Sequence, residues 1–134
     1  MTEVEVVKIL REYFEGLFPK VCPNCNRCFA TLREYIQLTR RIGQPISYDA
    51  DLDDWTPVRP MGSVALANCP CGSTLALGTE SMPLPRRLSL LNWVNIETHR
   101  RGLSPSELLD YLRDEVRKQV LAGTGQPDTG NIDT

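Results

Sequence analysis

Two closely spaced pairs of cysteines constrain this chain more than any other feature of its sequence. The first pair, Cys22 and Cys25, is separated by two residues, and the second pair, Cys69 and Cys71, by one. A tight turn between paired cysteines directs two thiolates to one point, and two such turns supply the four tetrahedral ligands of a structural zinc ion. The spacing therefore predicts one zinc ion bound by these four residues.

The residue after each pair also favours a tight metal-binding turn. The backbone at this position often needs a positive φ, which glycine adopts without strain and asparagine tolerates better than most residues. Gly72 follows the second pair, and Asn26 follows the first. Both turns therefore have a suitable residue where the chain must bend back.

These turns resemble the knuckles of zinc-ribbon domains. The residues that carry the resemblance are Cys22, Pro23, Cys25, Cys69, Cys71 and Gly72. The chain differs from the ribbon pattern in two respects: its second turn is one residue shorter, and a long segment separates the two turns. The resemblance implies a structural metal and a role in interaction, without specifying the partner.

The fifth cysteine, Cys28, leaves an alternative open. Cys22, Cys25 and Cys28 follow the spacing of a bacterial ferredoxin, although Leu32 stands where the fourth cysteine of that run would be. An iron centre completed by Cys69, or a rubredoxin-like iron in the four paired thiolates, is the alternative to zinc. Cys28 itself is expected to be a small buried side chain, with exchange for Cys25 as a ligand or redox sensing as alternatives.

Apolar periodicity and turn signals predict an α+β fold. It would combine zinc-ribbon-like β hairpins and a helical insertion with an N-terminal helix and a C-terminal antiparallel pair of helices. The expected regions are an N-terminal helix (1–18), a metal-binding region (19–82), a helical hairpin (83–122) and a disordered tail (123–134).

Individual elements follow from the same signals. Helices are predicted from Glu3 to Phe18, from Phe29 to Ile42 and from Arg87 to Arg101, the third after a linker marked by Pro83 and Pro85. A hairpin over 61–79 would carry the second cysteine pair at its turn. Residues 46–60 are expected to form an acidic loop with one short strand at most.

The last helix has the clearest start signal in the chain. Ser104 is suited to the N-cap, Pro105 to the first helical position and Glu107 to the third, which together form a capping box. The apolar stripe expected on this helix consists of Leu108, Leu109, Leu112, Val116 and Val120.

Two weaker signals for metal binding are interpreted as solvent-exposed residues that do not bind metal. His99, the only histidine, lies late in the third helix and is expected to be a solvated residue near the helix end rather than a ligand. Acids alternate over residues 49–53 as at the start of a calcium loop, but Asp54 and Pro60 stand where that loop needs glycine and glutamate. The stretch is therefore expected to be a solvated acidic loop.

Composition excludes several functional classes. A net charge of -2 and a pI of about 5.4 give no chain-wide positive field for nucleic acid. The acidic N-terminus and the lack of a long apolar run predict a cytoplasmic protein without membrane association, where thiols stay reduced. One histidine and no nucleophile–base pattern argue against an enzyme, and no small-molecule substrate is evident.

Three functions remain open. The favoured one is a non-enzymatic zinc-binding adaptor or regulatory protein that binds a protein partner or forms a homodimer. The second is a DNA-binding transcription regulator, because residues 100–109 resemble the helix-turn-helix segment of ribbon-helix-helix proteins and residues 86–121 hold seven basic against five acidic residues. The third is a thiol and zinc redox sensor that releases its metal on oxidation.

Overall fold

The computed structural model describes residues 1–122 and has the α+β fold that the sequence predicts. Its helices are α1 (Glu3–Glu15), α2 (Leu32–Leu38), α3 (Tyr48–Asp51), α4 (Leu84–Arg101) and α5 (Pro105–Ala122). Its strands are β1 (Lys20–Val21), β2 (Cys28–Phe29), β3 (Arg40–Ser47), β4 (Ser63–Asn68) and β5 (Thr74–Gly78). The predicted disordered tail over 123–134 lies outside the described residues.

The strands form two antiparallel sheets, and each carries one cysteine pair at a hairpin turn. β1 pairs with β2, and Cys22 and Cys25 lie in the connection between them. The second sheet has the order β3-β4-β5, and Cys69 and Cys71 lie in the turn between β4 and β5. The predicted hairpin over 61–79 is therefore confirmed.

The core draws on the N-terminal helix, both sheets and the two C-terminal helices. α5 packs against β3 and also contacts α1, α2 and α4. The predicted stripe of α5 faces this core: Leu108 and Leu112 are at most 1% exposed, Val116 and Val120 are buried, and Leu109 packs against the cluster. Within residues 1–122, no helix is both long and apolar enough to cross a bilayer.

Capping residues set most of the helix ends. The Thr2 hydroxyl accepts a hydrogen bond from the Glu5 amide and the Glu5 carboxylate accepts one from the Thr2 amide, so α1 begins with a capping box. Gly102 ends α4 with a φ of 69°, as its place after the helix predicts. α4 begins earlier than expected, at Leu84, because Pro83 takes the N-cap and Pro85 fits the first turn, where no N–H is needed.

The predicted helix from Phe29 to Ile42 is wrong over most of its length. α2 covers only Leu32–Leu38, and the backbone turns extended at Thr39 to start β3. β3 pairs with β4 at both of its ends, over residues 40–42 and 46–47, with a break in register between Ile42 and Ile46. This pairing with a strand far along the chain outweighs the local helical pattern, and the β-branched residues of the segment suit it.

The segment over 46–60 also differs from the expected loop. Its first two residues are the end of β3, and the next four form α3. The Ser47 hydroxyl caps α3 by accepting a hydrogen bond from the Ala50 amide at 3.3 Å. The prediction of one short strand understated how much regular structure this stretch holds.

An ion-pair network centred on the buried carboxylate of Glu97 joins α1, α4 and α5. The Glu97 carboxylate, 9% exposed, accepts hydrogen bonds from Arg100 and from Arg101, the latter at 2.8 Å. Arg101 also donates to Glu3 at 2.7 Å, and Glu3 accepts from the Tyr111 hydroxyl. The hydrogen bonds from Arg100 and Arg101 lower the pKa of Glu97 to about 2, so this buried carboxylate stays charged and paired.

Replacing Ser104 with alanine will lower the free energy of unfolding by about 1 kcal/mol. The Ser104 hydroxyl accepts from the Glu107 amide at 3.1 Å, and the Glu107 carboxylate accepts from the Ser104 amide at 2.9 Å. Urea denaturation measures the change. Ser106→Ala, two residues further into α5, is the control, and equal losses in both variants would contradict a capping role for Ser104.

Candidate metal centre

The first cysteine turn is closed by its own backbone. The Cys22 amide donates to the Arg27 carbonyl at 2.9 Å, and the Asn26 amide donates to the Cys22 carbonyl at 2.9 Å. Asn26 adopts a φ of 63°, the left-handed conformation expected after a metal-binding pair. The turn therefore bends tightly enough for Cys22 and Cys25 to present both sulfur atoms to one side.

The second turn is built in the same way at the end of the β4–β5 hairpin. The Cys69 amide donates to the Ser73 carbonyl, and the Gly72 amide donates to the Cys69 carbonyl, each at 2.8 Å. Gly72 has a φ of 95°, and a Cβ at this position would meet no atom within 4 Å. Backbone conformation rather than space therefore favours glycine here.

The two turns bring four sulfur atoms to one place. The Sγ atoms of Cys22, Cys25, Cys69 and Cys71 all lie within 4.8 Å of one another. Cys22 Sγ is 3.8 Å from Cys71 Sγ, and Cys25 Sγ is 3.7 Å from Cys69 Sγ. A zinc–thiolate bond of about 2.3 Å places neighbouring sulfurs of a tetrahedron about 3.8 Å apart. The four residues could therefore hold a metal ion with little rearrangement.

Hydrogen bonds within the turns favour the charged form of two of these cysteines. The backbone amides of Cys25 and Asn24 lower the pKa of the Cys22 thiol. The Asn24 side chain, whose Nδ2 lies 3.5 Å from Cys71 Sγ, and Ser73 lower the pKa of Cys71 to about 5. The turns therefore stabilise the thiolate form of Cys22 and Cys71, which is the form that binds metal.

The pKa of Cys69 is shifted in the opposite direction to those of Cys22 and Cys71. The Cys71 amide lowers its pKa, but burial and the nearby Cys25 thiol raise it more, to about 12. Four thiolates at these separations repel one another, and a divalent cation between them would remove the repulsion. The electrostatics of the site therefore favour a bound cation.

The cluster has a buried side and an open side. Cys22 and Cys69 are 0% and 3% exposed and belong to the hydrophobic core, whereas Cys25 and Cys71 are exposed. The core beneath includes Phe29, which is fully buried and whose ring meets that of Tyr35 edge-on at 5.3 Å. The site is therefore part of the core on one face and accessible to solvent on the other.

Cys28 is exposed, so the expectation of a buried side chain is wrong. Strand alternation explains the difference, because β2 directs Phe29 into the core and its neighbour Cys28 to the opposite face. The group of four sulfurs includes Cys71 and not Cys28. The structure therefore does not assemble the ferredoxin-like set that would combine Cys28 with Cys69.

His99 lies apart from the cysteine group. Its side chain is exposed on α4, with Nδ1 2.6 Å from the Asn95 carbonyl oxygen, and its ring meets Trp55 at 6.1 Å between centroids. The expectation that it is a solvated residue near the helix end agrees with this position.

Asp49 has a structural role that the sequence reasoning missed. Its side chain is 2% exposed, and its two carboxylate oxygens accept hydrogen bonds from the Met61 and Gly62 amides at 2.9 and 3.0 Å. Asp51 and Asp53 are exposed, as expected of solvated acids, but Asp49 fixes the entry to β4. A lone acid that bonds residues twelve and thirteen positions away has no local sequence signal.

Replacing Asp49 with alanine will lower the free energy of unfolding by about 1–3 kcal/mol, because two amides lose their acceptor. Thermal or urea denaturation measures the loss, and Asp51→Ala, at an exposed acid on the same short helix, is the control. Similar stability in the two variants would show that the buried carboxylate is not what holds the 49–62 loop.

No family model, curated protein or solved structure matches this chain. Its function must therefore be inferred from the geometry of its own residues.

Proposed function

We propose that the chain is a non-enzymatic zinc-binding adaptor or regulatory protein. The observation that carries this proposal is the convergence of four cysteine sulfurs at the spacing of a tetrahedral zinc–thiolate site. Zinc bound there would cross-link the two hairpins and contribute its binding energy to folding. Four protein ligands leave no open coordination position, which is typical of structural rather than catalytic zinc.

An exposed apolar surface supports an interaction role. Large apolar side chains are exposed at several positions between residues 46 and 61. We propose that they form one surface, which we call the 46–61 surface. Its members are Ile46, Tyr48, Leu52, Val58 and Met61, with Val58 94% and Leu52 68% exposed. Concentrated apolar exposure of this kind is characteristic of interaction sites, and a protein partner or a second copy of the chain would cover it.

The alternative of a DNA-binding regulator receives less support from the C-terminal helices. Much of their basic charge is paired within the chain, as at Arg100, Arg101, Arg113 and Lys118. The segment before α4 has Pro83 as a helix cap, where the ribbon-helix-helix fold needs a strand. The adaptor function is therefore favoured over DNA binding.

Exposed thiols favour redox control as a second candidate. Cys25, Cys71 and the neighbouring Cys28 are all exposed. Peroxide would convert two thiolates to a disulfide, with peroxide reduced to water, and the metal would lose two ligands. We expect peroxide to release zinc to a chromogenic chelator and dithiothreitol to restore binding. Retention of zinc at doses that oxidise Cys28 would exclude this mode of control.

Self-association and partner binding test the adaptor function directly. Sedimentation and affinity capture would compare the wild-type chain with a double variant, Leu52→Asp with Val58→Asp, and with the control Val4→Asp. Val4 is 75% exposed on α1, outside the 46–61 surface. We expect the double variant to lose association and the control to retain it. Equal behaviour of all three proteins would overturn the proposed role of this surface.

A further inference from the structure

An apolar cavity of about 140 Å³ lies between the three-stranded sheet and helices α1, α2 and α5. By register, Ala65 and Ala67 of β4 share the inner face of the sheet with Leu77 and Leu75 of β5. Two alanines at these positions leave room that larger side chains would fill. Apolar side chains from the helices complete the wall, among them Leu10, Phe14, Ile36, Leu109 and Val116.

The charged part of the cavity wall is basic. Arg41, Arg113 and Arg117 line it, and no acidic residue does so within residues 1–122. Arg41 is paired with Asp114, which lies outside the cavity wall. Arg117 forms no ion pair with the described part of the chain. Arg113 is likewise paired with Asp110. The cavity therefore combines an apolar interior with one arginine, Arg117, whose charge no acidic residue within residues 1–122 pairs.

Arg113 has unused hydrogen-bond donors. Its Nη2 donates to Asp110 Oδ1 at 2.5 Å and to the Gly43 carbonyl at 2.7 Å. Its Nε and Nη1 are buried and have no partner within residues 1–122. A buried donor without an acceptor is costly, and a guanidinium group is best satisfied by a carboxylate or phosphate oxygen. An anionic group on a ligand would supply the missing acceptor.

We propose that this cavity binds a small amphipathic carboxylate. Its apolar chain would lie between the sheet and α5, and its carboxylate would accept hydrogen bonds from Arg113 and contact Arg117. A cavity of roughly 150 Å³ lined by apolar side chains accommodates a six-carbon ring, so a chain of about six carbon atoms fits this volume. Small-molecule sites typically combine an apolar wall with a few fixed polar groups, as here.

This binding site is separate from the metal centre and goes beyond the adaptor function. None of the four clustered cysteines lines the cavity. The sequence shows no small-molecule site, because the arginines and alanines come together only when β3 and β4 pair and α5 packs across them. A ligand here would bridge α5 and the sheet.

Three probes with the same chain length and different head groups test the proposal on the whole chain of 134 residues, purified with zinc in the buffer. Heptanoate, 1-heptanol and heptylamine would each be titrated, with binding followed by calorimetry and by amide chemical shifts. We expect heptanoate to bind with a Kd below about 1 mM and at least tenfold more tightly than heptylamine. Equal binding of the three probes, or no shifts at residues of the cavity wall, would overturn the proposal.

Matched variants locate the ligand. Ala65→Leu places a larger side chain on the inner face and should weaken heptanoate binding at least tenfold. Ala76→Leu, the same change at an exposed residue on the outer face of the adjacent strand, should leave it unchanged. Arg117→Met should weaken heptanoate but not 1-heptanol, and it avoids the structural hydrogen bonds of Arg113. Equal effects of Ala65→Leu and Ala76→Leu, or of Arg117→Met on both probes, would contradict the proposed pose.

Discussion

Replacing Cys69 with serine will prevent metal binding at the cysteine group and cost the chain most of its folded structure. Cys69 is 3% exposed, and its sulfur, one of the four in the group, lies 3.7 Å from that of Cys25. Structural zinc contributes roughly 10–16 kcal/mol in small modules, whereas a whole domain is stable by roughly 5–15 kcal/mol. The loss of one thiolate ligand therefore removes a contribution comparable to the total stability.

Circular dichroism and zinc content of the purified variant measure this effect together. Cys28→Ser is the matched control, because it makes the same substitution at an exposed cysteine outside the group of four. We expect the control to keep one equivalent of zinc and the wild-type melting temperature. A folded Cys69→Ser protein, or a Cys28→Ser protein that is equally damaged, would show that the stabilising ligands have been misassigned.

Replacing Phe29 with alanine will lower the free energy of unfolding by about 3–5 kcal/mol. Phe29 is 0% exposed and is among the largest fully buried side chains of the described chain. It packs edge-on against Tyr35 and follows directly on the first cysteine turn through β2. Truncation would leave a cavity beneath the metal centre, so zinc affinity should fall together with stability.

Urea denaturation and a competitive zinc titration would measure both consequences. Val21→Ala is the control, because Val21 lies on the partner strand β1 and is 51% exposed. Exposed substitutions of this kind usually change stability by less than about 0.5 kcal/mol. If Phe29→Ala lost no more stability than Val21→Ala, the core would not support the first cysteine turn as described.

The sequence predicted those parts of the fold that depend on local signals. Ser104 marked the start of α5, because capping is decided within one turn of the helix. The β4–β5 hairpin was equally clear, since a cysteine–proline–cysteine–glycine turn separates two short apolar runs. The convergence of the two cysteine turns could also be anticipated, because tetrahedral metal chemistry needs both.

Features that depend on contacts between segments far apart in the sequence could not be predicted from local signals. The end of α2 and the start of β3 are determined by pairing with β4, some twenty residues or more along the chain. The sequence around Thr39 contains no local signal for this pairing. The buried hydrogen bonds of Asp49 and the unpartnered donors of Arg113 also arise from contacts between separate elements. The exposure of Cys28, by contrast, follows from strand alternation once β2 is recognised.

X-ray absorption at the metal edge, on protein purified without added metal and combined with elemental analysis, tests the metal centre most directly. We expect one zinc per chain, surrounded by four sulfur atoms at about 2.3 Å. A chain that folds stably without bound metal would contradict the proposed centre, as would a metal whose coordination shell contains nitrogen or oxygen in place of a sulfur.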